Sequence, residues 1–291
     1  MSPRRGARVE LPDTAATTTA EGTSALDRAA STNEPADRRP DAVAVPDHQP
    51  HVLLDTPTAS PVRLAKVAGL LYLVIAVFGA FAQFVRVKVY VPGNAATTST
   101  NIVANAPLVR TSFVADLVQA LVWLVLAVVL HRLFAHAGRS IARALVVFVS
   151  VSVAIASLNM LNQLGALLVA TNDSYVTAFG VNGSHALVLL FMDLQHYGYL
   201  IAQLSWLWLF ALGLLGYRSG MFPNWLSFLL MFATVCYVID ALTRFLAPSF
   251  ADTSAAVFLL PEIIGEVALL GYLLIRGVRQ PQPTVSGPTT I

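Results

Sequence analysis

The ten residues FMDLQHYGYL, Phe191 to Leu200, set an aspartate, a glutamine, a histidine and two tyrosines inside one of the most apolar regions of the chain. Asp193 and His196 stand three apart and Glu262 and Glu266 four apart, so each pair occupies one face of a helix. Carboxylates and an imidazole in that arrangement are a donor set for a divalent metal, with Asp193, His196, Glu262 and Glu266 as its ligands, and the same groups can carry protons. One internal histidine is a thin set for a zinc hydrolase, and no cofactor is expected. Ser112 and Ser157 lie at the depth of His196, but neither sits in a glycine-flanked nucleophile turn. Cys236, the sole cysteine, excludes an internal disulfide and a cysteine metal cluster, and its apolar neighbours favour an inert thiol. A hydrogen-bonded lock between helices and a pocket for a ligand stay open beside the chemical readings.

Whatever these groups do, a membrane must position them. The chain is 56% hydrophobic and 12% charged, about half the ~25% charge of a soluble domain. Nine of its sixteen acids precede Ser60, in a stretch rich in Ala, Thr, Pro and Arg that cannot bury enough apolar surface to order itself. Residues 1–62 are therefore expected to be a disordered cytoplasmic tail, 63–278 a transmembrane domain, and 279–291 a short disordered tail. The opening residues lack the apolar stretch of a secretory signal. A formal charge of +2 gives no reason to expect nucleic acid as a partner.

Six apolar runs, at 67–89, 111–131, 142–169, 185–214, 223–246 and 255–275, approach or exceed the ~20 residues that a bilayer crossing needs. The fold class is an all-α membrane protein of six transmembrane helices, with the bilayer as its partner. The third and fourth runs are long enough to require a tilt, a kink or a projection beyond the hydrocarbon. VPGNAATTSTN, AHAGRS, TNDSYVTAFGVNGS and YRSGMFPN read as the loops between them. Arg63, Lys66, Arg132, Arg139, Arg143, Arg218, Arg276 and Arg279 gather at one set of span ends, which predicts both termini in the cytoplasm, beneath a plasma membrane.

With that orientation, a rise of ~1.5 Å per residue puts Asp116, Asp193, Asp240 and Glu262 at roughly 9–12 Å below the outer surface. Asn159, Asn162, His196 and Glu266 lie at similar depth or deeper, and Arg86, Arg110 and Arg244 are the cations near this level. Periodicity groups Asp193 with His196 and Tyr197, Asp240 with Arg244, and Asn159 with Asn162. An ionised side chain at mid-helix costs about 2.5–3.5 kcal/mol on insertion scales, whereas a hydrogen bond between membrane helices contributes about 0.6 kcal/mol. Scattered bonding cannot offset five carboxylates; they must be paired, be protonated or face water. The twelve polar candidates named in this paragraph are thus expected to form a cluster or line a cavity, reached from the outer leaflet or the external space. Its ligand would be small or amphipathic.

GLLYL (69–73), VPGNAATTSTNI (91–102), DLQHYGY (193–199), LGYRSGMFPNW (215–225), YVID (237–240) and PEIIGE (261–266), in this order, resemble the bacterial membrane family called domain of unknown function 4386. The resemblance spans roughly residues 63 to 278. It departs from the family pattern at Asn94, where an aspartate usually follows Pro-Gly, and at Asn224, where a basic residue often follows the proline. It implies a multi-pass membrane protein and supplies no activity. Two functional classes follow from the residues: ligand binding for sensing or transport, and acid–base or metal-assisted chemistry on an amphipathic substrate. The oligomeric state is open.

The topology has a direct check. In a Cys236→Ser background, Ala178→Cys is expected to react with an impermeant thiol reagent from outside intact cells; labelling from inside only would invert the assignment.

Overall fold

The computed structural model describes residues 60–279 apart from Ser205; most of the two expected tails lies outside the described residues. Helix α1, Pro61–Val89, starts with proline in its first turn, where the missing N–H costs nothing, and Ser60 caps the Arg63 N–H. A short α2, Ala95–Ala104, leads into α3, Ala106–Phe134, and then α4, Arg139–Thr171. The fourth crossing is divided into α5, Asp173–Leu204, and α6, Trp208–Ser219, followed by α7, Asn224–Leu246, and α8, Pro248–Ile275. Six helical stretches are long and apolar enough to cross a membrane. The chain is an all-helical, multi-pass membrane protein, and an even number of crossings leaves residues 60 and 279 on one face.

Two stretches expected as loops are helical. VPGNAATTSTN contains most of α2, because Asn94 accepts the Thr97 N–H at 3.0 Å and starts a helix whose Thr98, Ser99 and Ile102 are buried. An amide oxygen caps as well as the expected aspartate. TNDSYVTAFGVNGS opens α5 and is interrupted only at Gly180, where φ of 72° requires glycine. The over-long fourth run, 185–214, is resolved by a turn at Trp206–Leu207.

The crossings form a ring in which each packs on its sequence neighbours, closed by α1 against α8. Glycines set the approach of several pairs. A Cβ at Gly213 would stand 2.7 Å from the Ser227 carbonyl oxygen of α7, and one at Gly69 would stand 3.0 Å from the Leu273 backbone of α8. Apolar packing is concentrated in two clusters. The larger joins Tyr72, Phe134, Leu145, Trp208 and Phe222 toward the face that holds residues 60 and 279; the smaller joins Val89, Ile102, Val109, Leu167 and Met192 at the other end. The end opposite residues 60 and 279, expected to be polar, thus carries an apolar cluster to which α2 contributes.

The packing argument is testable in detergent. Gly213→Ala is expected to cost about 1–3 kcal/mol through overpacking, whereas Gly271, whose added Cβ would meet nothing within 4 Å, should accept alanine without loss. Equal thermal stability of the two variants would contradict the close α6–α7 approach.

Candidate functional site

Between the two apolar clusters lies a cavity of about 500 Å³, within the range of ligand sites. Its wall is built from α1, α3, α4, α5, the turn at Trp206 and α8. Arg86 of α1 donates to Asp116 of α3 through Nη1–Oδ2 at 2.6 Å, and both side chains are about nine-tenths buried. Gln83, one turn earlier, accepts from Arg86 Nε at 3.0 Å and holds the guanidinium toward Asp116. The Arg86 guanidinium also lies 6.0 Å from the Tyr199 ring centre.

The remaining polar lining is mostly amide. Asn159 donates to the Gln195 backbone carbonyl at 2.7 Å and accepts from Asn162 at 3.0 Å, tying α4 to α5. Gly198 permits this approach, since a Cβ there would overlap the Asn159 amide. Gln163 donates to Ser112 Oγ at 2.9 Å, and Ser112 donates to the Val109 carbonyl, so Ser112 is engaged away from His196. On the α8 side, Tyr237 of α7 donates to Glu266 Oε1 at 2.6 Å. The Trp123 indole N–H is buried at the cavity wall without a partner, and the buried Tyr72 hydroxyl lies beside the Glu266 carboxyl.

Of the twelve candidates, Arg86, Asp116, Asn159 and Glu266 line this cavity, with Asn162 bonded behind Asn159. DLQHYGY does contribute to it, but through Gln195 and Tyr199. Asp193, His196 and Tyr197 fall on another face of α5. Asp193 accepts from Tyr90 Oη at 2.6 Å, the His196 ring lies 6.2 Å from Tyr90, and the Tyr197 ring lies 6.0 Å from Phe245. Tyr90 caps the C-terminal end of α1; burial first, and then the bond to Asp193, raise its hydroxyl above the usual phenol range and keep it a donor.

A third group sits between α7 and α8. Arg244 Nε donates to Asp240 Oδ2 at 2.8 Å, while Asp240 Oδ1 and Glu262 Oε1 are buried without hydrogen-bond partners. Asp240, Glu266 and Arg244 are the charged neighbours of Glu262. Arg110 is exposed and joins no ion pair among the described residues. Nor, among the described residues, do three His, Cys, Asp or Glu side chains converge as a metal-ligand group, so Asp193, His196, Glu262 and Glu266 do not assemble into one site.

Tyr72, Tyr90, Trp123, Tyr199 and Trp206 are not among the site residues that the sequence singles out. A tyrosine hydroxyl far from a span end was the available signal for Tyr72, whose residue is 4% exposed.

Residues 67–277 match the family model described as Domain of unknown function (DUF4386), and the chain belongs to that family. It is also similar to an uncharacterized protein of Archaeoglobus fulgidus, 38% identical over 80 residues, which cover 28% of this chain and 45% of the relative. The chain thus spans under half the length of that relative. No solved structure matches it.

The ion pair makes a quantitative prediction. Arg86→Gln, which strands Asp116, is expected to destabilise the protein by about 3–5 kcal/mol, and Arg86→Gln with Asp116→Asn should recover much of that loss. Additive losses in thermal unfolding would show that the two side chains do not depend on each other.

Proposed function

We propose that the cavity binds a small or amphipathic molecule that enters from the bilayer, in a sensing or transport role. One observation carries the reading. Ala76, Ala80 and Gln83 on α1 and Ile263 on α8 both line the cavity and are exposed, while these helices approach closely at Gly69 and Leu273 nearer the opposite end. The mouth therefore faces sideways between α1 and α8, at a depth where the surroundings are acyl chains. The apolar cluster around Ile102 and Val109 separates the cavity from the outer end, which favours the lateral route over an aqueous one.

Binding suits the lining. The unpartnered Trp123 N–H offers a hydrogen bond to an occupant, and the amides around Asn159 can pair with uncharged polar groups. Arg86, Asp116, Asn159 and Glu266 are the proposed binding residues, while Asp193, His196, Asp240, Arg244 and Glu262 form the supporting polar network. The ion pair and the Tyr237 bond engage the cavity's acids, which favours binding over acid–base chemistry. The Lys/Arg asymmetry supports a plasma-membrane orientation with residues 60 and 279 on the cytoplasmic side.

Native mass spectrometry of the protein purified from membranes should find a retained amphiphile. Ala156→Trp, which fills the cavity from α4, should lose it while the thermal unfolding temperature is kept. Retention of the same molecule by this variant would place it elsewhere.

A further inference from the structure

We propose that the occupant is an amphiphilic organic cation, with Glu266 as its counterion and Trp206, Trp123 and Tyr199 as its aromatic walls; this inference rests on the cavity being the binding site. The acids and bases of the lining are not matched in number. Arg86 and Asp116 neutralise each other at 2.6 Å, which leaves Glu266 as the remaining acid of the wall. Among the described residues Glu266 has no ion-pair partner, and the hydroxyls beside it, Tyr237 at hydrogen-bond distance and Tyr72, are neutral. The nearby charges accentuate this. Glu262, one turn earlier on α8, has both Glu266 and Asp240 as charged neighbours, and Arg244, the cation of that group, is already bonded to Asp240. An anion entering the cavity would meet an acidic wall and an arginine already engaged.

The aromatic groups are arranged around the same acid. Trp206 packs on Tyr237 with ring centres 4.5 Å apart, and Tyr237 is the donor to Glu266. Trp206 also packs on Trp123 at 5.7 Å, and Trp206, Trp123, Tyr199 and Tyr72 all line the cavity. Ring faces carry negative potential, so indoles and phenols beside a carboxylate are the chemistry that recognises alkylammonium and related cations. The break between α5 and α6 gives this wall its shape, because the turn at Trp206–Leu207 brings the Trp206 ring to the cavity in place of a continuing helical face. The lateral mouth adds the second requirement, that the cation carry an apolar body able to partition into the bilayer.

The test uses the full chain in dodecyl maltoside micelles, where a neutral surfactant of the same tail is always in excess. Dodecyltrimethylammonium is titrated against dodecyl sulfate while tryptophan fluorescence and the thermal unfolding temperature are followed. The cation should give a saturable change and stabilisation; the anion should give neither. Glu266→Gln, which keeps an acceptor for Tyr237, should weaken binding at least ~30-fold. Trp206→Leu should weaken it roughly tenfold and carries the test if the glutamine variant fails to fold. An equal response of the native protein and these variants, or a preference for dodecyl sulfate, would overturn the proposal. If the cation gives no saturable response while Ala156→Trp still loses a retained molecule, the cavity reading stands and the cation assignment fails. If neither effect appears, both fail.

Discussion

The Arg86–Asp116 pair is the interaction on which the interior depends. Each group alone would make a helix of this depth costly to insert, and neither could be relieved by ordinary hydrogen bonds. Together, at 2.6 Å, they bind α1 to α3 and remove net charge from the middle of the ring. Apart from Glu266, the rest of the polar wall is then built of uncharged groups, through Gln83 on the guanidinium, Ser112 with Gln163, and Asn159 on the α5 backbone. The price of this arrangement is incomplete packing, since a wall of bonded amides and rings leaves about 500 Å³ unfilled.

Apolar clusters at both ends confine that space. Phe134, Trp208 and Phe222 close the end at which α1 begins, and Val89, Ile102 and Met192 close the other with the help of α2. A polar cavity plugged at both ends has little use as a pore, and the gap between α1 and α8 becomes its natural approach. Gly69 fixes where those helices touch and therefore where they begin to separate. The proposed function follows from that combination of a polar interior, closed ends and an open side.

Much of the fold was legible because a bilayer imposes a length on each crossing that few other elements satisfy. The six runs and the alternation between faces follow from that constraint. Helix α2 was not legible: its Thr, Ser and Asn residues read as turn formers, and the Asn94 cap together with burial of Thr98 and Ile102 against neighbouring helices explains why the segment winds. The site was partly legible. Desolvation cost identified Arg86, Asp116 and Glu266 as groups that must meet partners, and helical periodicity put Asp193 with His196. Periodicity cannot say which face of a helix turns inward when both carry polar groups, so Gln195 and Tyr199, rather than Asp193 and His196, line the cavity from DLQHYGY. Tyr72, Trp123 and Trp206 were hidden for a related reason: an aromatic that packs and one that lines a cavity have the same sequence signature.

The central claim is that the cavity communicates with the bilayer between α1 and α8. It is tested most directly by determining the structure in lipid nanodiscs at a resolution that shows side chains. The account predicts elongated density passing between Ala80 and Ile263 and ending beside Glu266 and Arg86. A cavity collapsed by side chains, or a water-filled path running from it past Ile102 to the outer face with α1 and α8 sealed along their length, would contradict it.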